Sequence, residues 1–170
     1  MTGYVQVYTG DGKGKTTAAF GLALRAAGAG LKVFIAQFVK GMKYSELDAI
    51  RILPNITIKQ YGRNCFVYGK PEKEDIKRAR DGLIEVKEII TSDKYQIVIL
   101  DEANIAVCYN LFSAEELLEV INSKPESTEL VITGRRADKK IIDMADLVTE
   151  MLEIKHYYSK GVKARKGIEK

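Results

Sequence analysis

The stretch Thr9-Gly-Asp-Gly-Lys-Gly-Lys-Thr-Thr17 is the part of the sequence that decides the fold. An apolar run with Val5, Val7 and Tyr8 precedes it, and the helical pattern Ala18-Ala-Phe-Gly-Leu-Ala-Leu24 follows it. The order is therefore a strand, a glycine-rich loop and the N-terminus of a helix. Such a loop can curl so that successive backbone N–H groups point inward, where the helix dipole adds to the attraction for phosphate oxygens. The stretch predicts a loop that binds a nucleoside polyphosphate.

The side chains of this loop supply a charge and a metal ligand. Lys15 provides a mobile positive charge, and the Thr16 hydroxyl is placed to bind a metal ion that bridges phosphates. The pattern G-x-x-x-x-G-K-[ST] requires glycine at position 9, where this sequence has Thr9 beside Gly10. A glycine-rich turn without a ligand would need neither Lys15 nor Thr16, so we favour ligand binding. The predicted nucleotide-binding residues of the loop are Thr9, Gly10, Asp11, Gly12, Lys13, Gly14, Lys15, Thr16 and Thr17.

Length and composition indicate one ordinary globular domain. A chain of 170 residues with 46% hydrophobic and 29% charged residues can bury about 70% of the surface that its unfolded form exposes. No apolar stretch reaches the roughly 18–20 residues that a bilayer crossing needs, and the first strand begins too early for a signal peptide. Cys65 and Cys108 form no C-x-x-C pair, so we expect reduced thiols in a cytoplasmic protein. A net charge of +4 suits an anionic ligand, and we expect neither nucleic acid nor membrane as a partner.

Apolar runs of strand length alternate with helical patterns along the whole chain. Residues 33–36 and 97–100 are apolar without alternation, as expected of strands that helices cover on both faces. We therefore expect an α/β, single-domain P-loop NTPase-like (RecA-like) three-layer fold with a mainly parallel sheet of about six strands. Residues 1–154 are predicted to form the nucleotide-binding domain, and residues 155–170 a basic C-terminal tail that is either solvated or a lid over the active site. The predicted strands are 3–8, 32–38, 56–61, 96–100, 128–132 and 147–152, and the predicted helices are 15–28, 45–52, 72–91, 113–122 and 138–145.

The run Ile97-Val-Ile-Leu-Asp101-Glu102 ends an apolar strand with two carboxylates. Beside a phosphate-binding loop, such a strand delivers an acid that holds Mg²⁺ directly or through water. Mg²⁺ prefers one or two carboxylates together with phosphate oxygens, so Thr16 with Asp101 or Glu102 is a suitable ligand set for Mg²⁺ or Mn²⁺. The alternative is a strand end that faces solvent. The presence of the loop at 9–17 favours the metal site.

Three further groups of residues are candidates with two interpretations each. Arg135 follows an apolar strand, and it either grips a phosphate or ribose oxygen or lies in solvent. Arg25 lies ten residues beyond Lys15 in the first helix, and spacing allows both a turn toward the phosphates and a surface position. Phe66 and Tyr68 lie in a glycine-flanked loop, where they either contact a flat ligand or pack onto the core.

These motifs together resemble the P-loop type of ATP:cob(I)alamin (corrinoid) adenosyltransferases over nearly the whole chain. A threonine at position 9 is what the loop of this family carries. The sequence begins at the first strand, where some members have an extra N-terminal segment, and it has Cys65-Phe-Val-Tyr68 where some members place Phe and Trp near the corrinoid. The resemblance rests on the stretches 8–21, Gln37-Phe-Val-Lys-Gly41, Leu100-Asp-Glu102 and Ile132-Thr-Gly-Arg135, and on the closing Lys155-His-Tyr157 and Lys160-Gly-Val-Lys-Ala-Arg-Lys-Gly-Ile168.

The resemblance implies transfer of the 5′-deoxyadenosyl group of ATP to the cobalt(I) of a corrinoid, with triphosphate as the leaving group. It implies Lys15, Thr16 and Glu102 as the catalytic residues. Because cobalt(I) is itself the nucleophile, no protein nucleophile or general base is needed, which agrees with a sequence that has His156 as its only histidine. The implied partners are ATP, the corrinoid, a reduced flavoprotein that donates electrons, and a second copy of the chain in a homodimer.

Two other classes of function remain open at this point. A P-loop ATPase or small-molecule kinase would use Glu102 to polarise water or Asp101 to act on a substrate hydroxyl. A non-catalytic regulatory module would use the loop to bind nucleotide alone. No Asn-Lys-x-Asp signature appears, which disfavours a GTPase. The segments Thr133-Gly-Arg135 and Lys160-Gly-Val-Lys-Ala-Arg165 favour the adenosyltransferase.

Overall fold

A computed structural model describes residues 2–42, 44–63 and 70–169. Every predicted strand and helix is present, and its bounds differ from the prediction by a few residues. Two elements were not predicted, the short helix α4 and a 3₁₀ helix at Tyr157–Lys160. The strands are β1 (Val5–Thr9), β2 (Val33–Gln37), β3 (Ile56–Gln60), β4 (Ile97–Asp101), β5 (Glu129–Thr133) and β6 (Leu147–Glu150), and the helices are α1 (Lys15–Gly28), α2 (Ser45–Ile50), α3 (Lys73–Thr91), α4 (Ala103–Cys108), α5 (Ala114–Asn122) and α6 (Lys139–Met144).

The six strands form one sheet in the order β3-β2-β4-β5-β1-β6, and each neighbouring pair is parallel. The carboxyl ends of all strands therefore meet at one edge. The four adjacent strands β2, β4, β5 and β1 end there in Gln37, Asp101, Thr133 and Thr9, and all four of these residues are buried. In open parallel sheets, ligands bind beyond this edge. The predicted α/β fold is confirmed.

Helices cover both faces of the sheet, which explains the continuous apolar runs. In β4, Val98 and Leu100 belong to the core cluster that includes residues of α3 and α5, whereas Ile97 and Ile99 belong to the cluster on the other face. That second cluster contains Ala19 and Ala23 of α1. Successive side chains of a strand point to opposite faces, so every position of a strand that is covered on both faces is buried and favours an apolar residue.

The C-terminal side of β3 is held against α3 by two contacts. The ring of the buried Tyr61 lies so close to Gly82 that a Cβ atom there would fall 2.4 Å from Tyr61 Cγ. Arg63 donates from Nε to Asp75 Oδ1 at 2.6 Å and from Nη2 to Asp75 Oδ2 at 2.8 Å. Asp75 also accepts from the backbone N–H of Glu72 at 2.9 Å, within the capping box that begins α3. These contacts fix the chain on both sides of residues 64–69.

The predictions about membrane spans, cysteines and domain division concern the chain as a whole. Among the described residues, no helix has the length and apolar character needed to cross a bilayer. Cys108 carries a free thiol, and Cys65 lies outside the described residues. The division into a domain of residues 1–154 and a tail of residues 155–170 stays a prediction.

Replacing Gly82 by alanine is expected to destabilise the fold, although alanine favours a helix interior by about 1 kcal/mol. The new methyl group would overlap the Tyr61 ring, and overpacking of a core typically costs about 1–3 kcal/mol. The matched control is Gly21→Ala in α1, where a Cβ atom meets nothing within 4 Å. That variant is expected to gain about 0.5–1 kcal/mol. Urea unfolding of both variants measures the difference, and equal stabilisation would contradict the close contact at Gly82.

Asp75 makes the stability of the fold depend on pH. The hydrogen bonds from Arg63 lower the pKa of the Asp75 carboxyl below its ordinary value of 3.8. The stabilisation is therefore present above pH 3.8 and is lost as the pH falls through the lower folded-state pKa. Asp75→Asn is expected to lower the free energy of unfolding by about 2 kcal/mol at neutral pH, and the difference from wild type should shrink in acid.

The control for this prediction is Asp143→Asn, which removes an exposed carboxylate that pairs with Lys139 at 2.7 Å. Exposed pairs contribute about 0–1 kcal/mol, so this variant should change little at either pH. Urea unfolding in neutral and acidic buffer is the measurement. A constant difference between wild type and Asp75→Asn across the acid range would show that the Arg63 contact does not hold the carboxylate ionised.

Candidate active site

The glycine-rich loop joins β1 to α1 with two residues in the left-handed backbone region. Gly10 has φ of 90° and Gly14 has φ of 119°. Gly14 is the N-cap of α1 and leaves the helix without a side-chain cap. The N–H groups of the first turn therefore have no capping acceptor, and they face the loop with the positive end of the helix dipole. This is the geometry that receives phosphate oxygens.

The threonine that departs from the general loop pattern has a structural role. The left-handed conformation falls on Gly10, one residue later, so position 9 does not require glycine. Thr9 is buried, and its Oγ1 accepts a hydrogen bond from the backbone N–H of Ala137 at 3.2 Å. A Cβ atom on Gly10 would lie 2.5 Å from the carbonyl oxygen of Met151. The start of the loop is therefore fixed by the chain segments that follow β5 and β6.

Lys15 lies inside the loop that it follows. Lys15 is 7% exposed, and its Nζ donates to the carbonyl oxygen of Gly12 at 2.7 Å. Burial lowers the pKa of Lys15, and the nearby carboxylate of Glu102 works in the opposite direction. The ammonium therefore lies within the loop, bonded to a neutral carbonyl oxygen that a phosphate oxygen can replace.

Asp101 is the most connected side chain of the site. It is fully buried, and its Oδ1 accepts from Thr16 Oγ1 at 2.9 Å and from Thr133 Oγ1 at 2.7 Å. Its Oδ2 accepts from Lys40 Nζ at 2.8 Å and from Gln37 Nε2 at 3.1 Å. These partners come from the first turn of α1 and from the ends of β2 and β5. The sequence predicted Thr16 beside Asp101 and did not predict the other three.

Glu102 follows Asp101 but faces a different environment. It adopts the left-handed backbone conformation, with φ of 61°, and its N–H donates to Thr133 Oγ1 at 3.0 Å. This turn directs the chain into α4 and places the Glu102 side chain on the wall of a cavity. Burial and the neighbouring charge of Asp101 raise the pKa of Glu102. Of the two carboxylates, Asp101 is bound within the network and Glu102 lines the open space.

The cavity has a volume of about 1110 Å³ and lies over the carboxyl edge of the sheet. The phosphate loop and the start of α1 form one side, and Glu102, Ile105 and Tyr109 form another. Of the residues predicted from the sequence to bind ligand, those that line this cavity are Gly12, Lys13, Gly14, Lys15, Thr16, Thr17, Glu102 and Arg135. Residues Val39, Lys40, Tyr44 and Glu46 also line it. Of these, the sequence analysis named only Val39 and Lys40, within the stretch Gln37–Gly41 that carries the family resemblance.

Arg135 and the C-terminal tail form the outer side of the cavity. Arg135 is 53% exposed at its side chain, and its Nε lies 4.0 Å from Asp11 Oδ1. The tail contributes His156 and residues 167–169. Lys13 Nζ donates to the carbonyl oxygen of Ile168 at 2.9 Å, which joins the loop to the tail.

Arg25, which the sequence predicted as a ligand contact, lies away from the cavity. Arg25 is in the last turn of α1, about 15 Å along the helix axis from Lys15. It is not one of the described residues that line the cavity, because ten residues of helix separate it from the loop. Phe66 and Tyr68 lie outside the described residues.

Comparison with known proteins agrees with this geometry. The family model described as ATP:corrinoid adenosyltransferase BtuR/CobO/CobP matches residues 1–169. The corrinoid adenosyltransferase of Sinorhizobium sp is 38% identical over 178 residues, which cover 98% of this chain and 80% of the relative. Those of Escherichia coli strain K12 and Salmonella typhimurium are 35% and 34% identical, and each alignment covers 98% of this chain and 85% of the relative. The chain belongs to the ATP:corrinoid adenosyltransferase family.

Proposed function

We propose that this protein transfers the 5′-deoxyadenosyl group of ATP to the cobalt(I) of a corrinoid and releases inorganic triphosphate. The observation that carries the proposal is one cavity in which the uncapped start of α1 and Lys15 face the carboxylate of Glu102. Its volume of about 1110 Å³ lies above the usual range of about 300–1,000 Å³ for small-molecule sites. The space therefore suits a nucleotide together with part of a second reactant.

The chemistry requires alignment and charge stabilisation rather than proton transfer. The cobalt(I) lone pair attacks C5′ of ATP, a cobalt–carbon bond forms, and the C5′–O bond breaks. The electron pair of the broken bond leaves on the triphosphate, so no proton moves in this step. The protein has to hold C5′ in line with cobalt. It also has to stabilise the negative charge that develops on the leaving group.

The phosphate loop supplies that stabilisation in our proposal. The loop N–H groups of residues 10–16, except that of Gly12, which donates to the carbonyl oxygen of Met151 at 2.6 Å, bind the triphosphate together with the Lys15 ammonium. The start of α1 contributes donors there that have no side-chain cap. Arg135, which lines the outer side of the cavity, can bind a further phosphate or ribose oxygen through its planar guanidinium. The backbone N–H groups at the start of α1 are held by the helix before the reaction, so they need little reorganisation as charge develops.

The residues at the strand ends fit a divalent cation. The Thr16 hydroxyl and the Asp101 carboxylate are already 2.9 Å apart, and Glu102 faces the same cavity. One or two carboxylates and a hydroxyl are the protein ligands that Mg²⁺ accepts beside phosphate oxygens. We propose that Thr16, Asp101 and Glu102 would hold Mg²⁺ or Mn²⁺. A bound cation would supply Lewis-acid stabilisation of the triphosphate.

The basic tail is proposed to act as a lid. Residues 155–170 carry six lysine and arginine side chains, and His156 and residues 167–169 line the cavity. The tail is joined to the loop through Lys13 and Ile168. A basic segment in this position would close over an anionic nucleotide. The corrinoid contacts of Phe66 and Tyr68, the flavoprotein donor, the homodimer and the cytoplasmic location stay predictions.

The function is tested with ATP, Mg²⁺ and chemically reduced cobalamin. We expect the corrinoid absorbance to change as the cobalt–carbon bond forms, and we expect one triphosphate for each adenosylated corrinoid. Lys15→Ala is expected to lose a charge-assisted contact of about 1.5–3 kcal/mol, which corresponds to roughly a 10- to 150-fold loss in kcat/KM. The control Lys32→Ala changes an exposed lysine just before β2 and should retain full activity.

Two outcomes would contradict this proposal. Rapid release of ADP and phosphate without corrinoid would favour the ATPase or kinase. Full activity of Lys15→Ala would show that Lys15 of the phosphate loop does not bind the triphosphate.

The role of Glu102 separates metal binding from general-base catalysis. As a metal ligand, Glu102→Gln loses one negative charge, so the variant should require more Mg²⁺ and recover part of its rate when Mg²⁺ is added. As a general base, the variant would lose its rate at every metal concentration, because an amide cannot accept the proton. We expect a raised metal requirement with a measurable residual rate. The exposed Glu126 provides the control Glu126→Gln, and a Glu102→Gln enzyme that binds Mg·ATP normally yet is inactive at saturating metal would overturn the assignment.

A further inference from the structure

Lys40 occupies the position between the two oxygens proposed as metal ligands. Its Nζ lies 2.8 Å from Asp101 Oδ2 and 3.1 Å from Thr16 Oγ1. The Lys40 side chain is 17% exposed, and that of Asp101 is fully buried. At this distance the Lys40 ammonium forms a charge-assisted hydrogen bond with the buried Asp101 carboxylate. A monovalent cation of the protein itself therefore neutralises this carboxylate.

The backbone around Lys40 is built to hold the side chain there. The N–H of Lys40 donates to the carbonyl oxygen of Phe38 at 2.7 Å, and Val39 between them has φ of 62°. A three-residue turn with positive φ at its centre is rare and strained, and a β-branched residue makes the strain larger. The segment that follows β3 packs directly on this turn, because a Cβ atom on Gly62 would lie 2.6 Å from the backbone N of Lys40. Strain of this kind persists where the surroundings determine the conformation and is concentrated at functional sites.

The Lys40 ammonium also lies near an aromatic ring and a further anion. Its Nζ lies 5.6 Å from the centroid of the Tyr44 ring, a distance suited to a cation–π contact. Glu46, on the first turn of α2, is a further negative charge that acts on the ammonium. Both residues line the cavity that contains the phosphate loop. An ammonium that leaves Asp101 thus stays beside an aromatic ring and an anion, and it faces the space proposed for the triphosphate.

We propose that the Lys40 ammonium holds the divalent-cation position while nucleotide is absent and gives it up only when metal and nucleotide enter together. Without nucleotide, a divalent cation would have to displace the ammonium from a buried carboxylate to the partly exposed surroundings of Tyr44 and Glu46. A nucleotide brings phosphate oxygens that can receive the displaced ammonium. Lys40 therefore couples metal binding to nucleotide binding. The inference rests on the metal site proposed above.

The test is a titration of the nucleotide-free protein with Mn²⁺, followed by electron paramagnetic resonance of the unbound ion. The variants are Lys40→Met, which removes the charge at similar length, and Lys40→Gln, which retains a hydrogen-bond donor. The control Lys87→Met removes a lysine from an exposed ion pair with Glu119 at 3.1 Å. Wild type and the control should bind Mn²⁺ weakly, and both Lys40 variants should bind it at least about tenfold more tightly, since a like charge has left the site.

A second readout follows the stability of the same proteins without nucleotide. Lys40→Met leaves the buried Asp101 without its cation, so its thermal midpoint should fall, and Mn²⁺ should restore it. Adding ATP should tighten Mn²⁺ binding strongly in wild type and less in Lys40→Met, because the coupling between the two ligands is then reduced. Lys40→Gln provides the same comparison if Lys40→Met fails to fold.

Two results distinguish the failure of this inference from the failure of the metal site. If both Lys40 variants bind Mn²⁺ no more tightly than wild type, while Asp101→Asn weakens Mn²⁺ binding in the presence of ATP, the metal site stands and the role of Lys40 is overturned. If Asp101→Asn in the Lys40→Met background retains tight Mn²⁺ binding, the ion binds elsewhere and both are overturned. The adenosyl transfer assay on wild type is independent of each result.

Discussion

The buried carboxylate of Asp101 is the constraint on which the rest of the site depends. An ionised carboxylate without partners in a protein interior is strongly unfavourable, so its oxygens must be hydrogen-bonded or paired with a cation. Here both oxygens are bonded, to Thr16 and Thr133 on one side and to Gln37 and Lys40 on the other. The side chains come from three different strand ends and a helix start. Satisfying one charge therefore fixes the relative positions of four chain segments.

The backbone around this network is held in conformations that ordinary residues avoid. Val39 and Glu102 both have positive φ, and each such residue costs about 1–3 kcal/mol. Both are directly adjacent in sequence to members of the network, Lys40 and Asp101. Gly134, with φ of 131°, follows Thr133 in the same way. The chain thus leaves β2, β4 and β5 through residues with positive φ, and these segments supply both members of the network and residues that line the cavity.

The division of the two acidic residues follows from the same turn. Asp101 is the last residue of a central strand and has no exposure to solvent, whereas Glu102 has turned out of the strand and lines the cavity. Two adjacent carboxylates so close together repel each other, which contributes to the raised pKa of Glu102. The Lys40 and Lys15 ammonium groups oppose that effect. The site thereby keeps two acids near a polyphosphate without a net local excess of negative charge.

The sequence by itself determined the succession of strands and helices along the chain, the parallel sheet and the position of the phosphate loop. These features depend on patterns within about twenty residues, such as the apolar run of β4 and the glycines before Lys15, and such patterns act locally. It also placed Thr16, Asp101 and Glu102 together, because the ends of parallel strands meet at one edge. The short helix α4 was missed, since it follows β4 directly and its N-cap, Glu102, makes no side-chain capping bond that would mark a helix start.

Only the tertiary structure decided how the candidate residues are used. Lys40 and Asp101 are separated by 61 positions in the sequence and Thr133 and Asp101 by 32, so no local pattern could pair them. The same holds for Thr9, whose hydroxyl bonds the backbone of Ala137, and for Arg25, which the length of α1 carries away from the loop. Direction along a helix and the order of strands in a sheet set these distances. Spacing in the sequence indicates which residues reach an edge, and packing determines which of them touch.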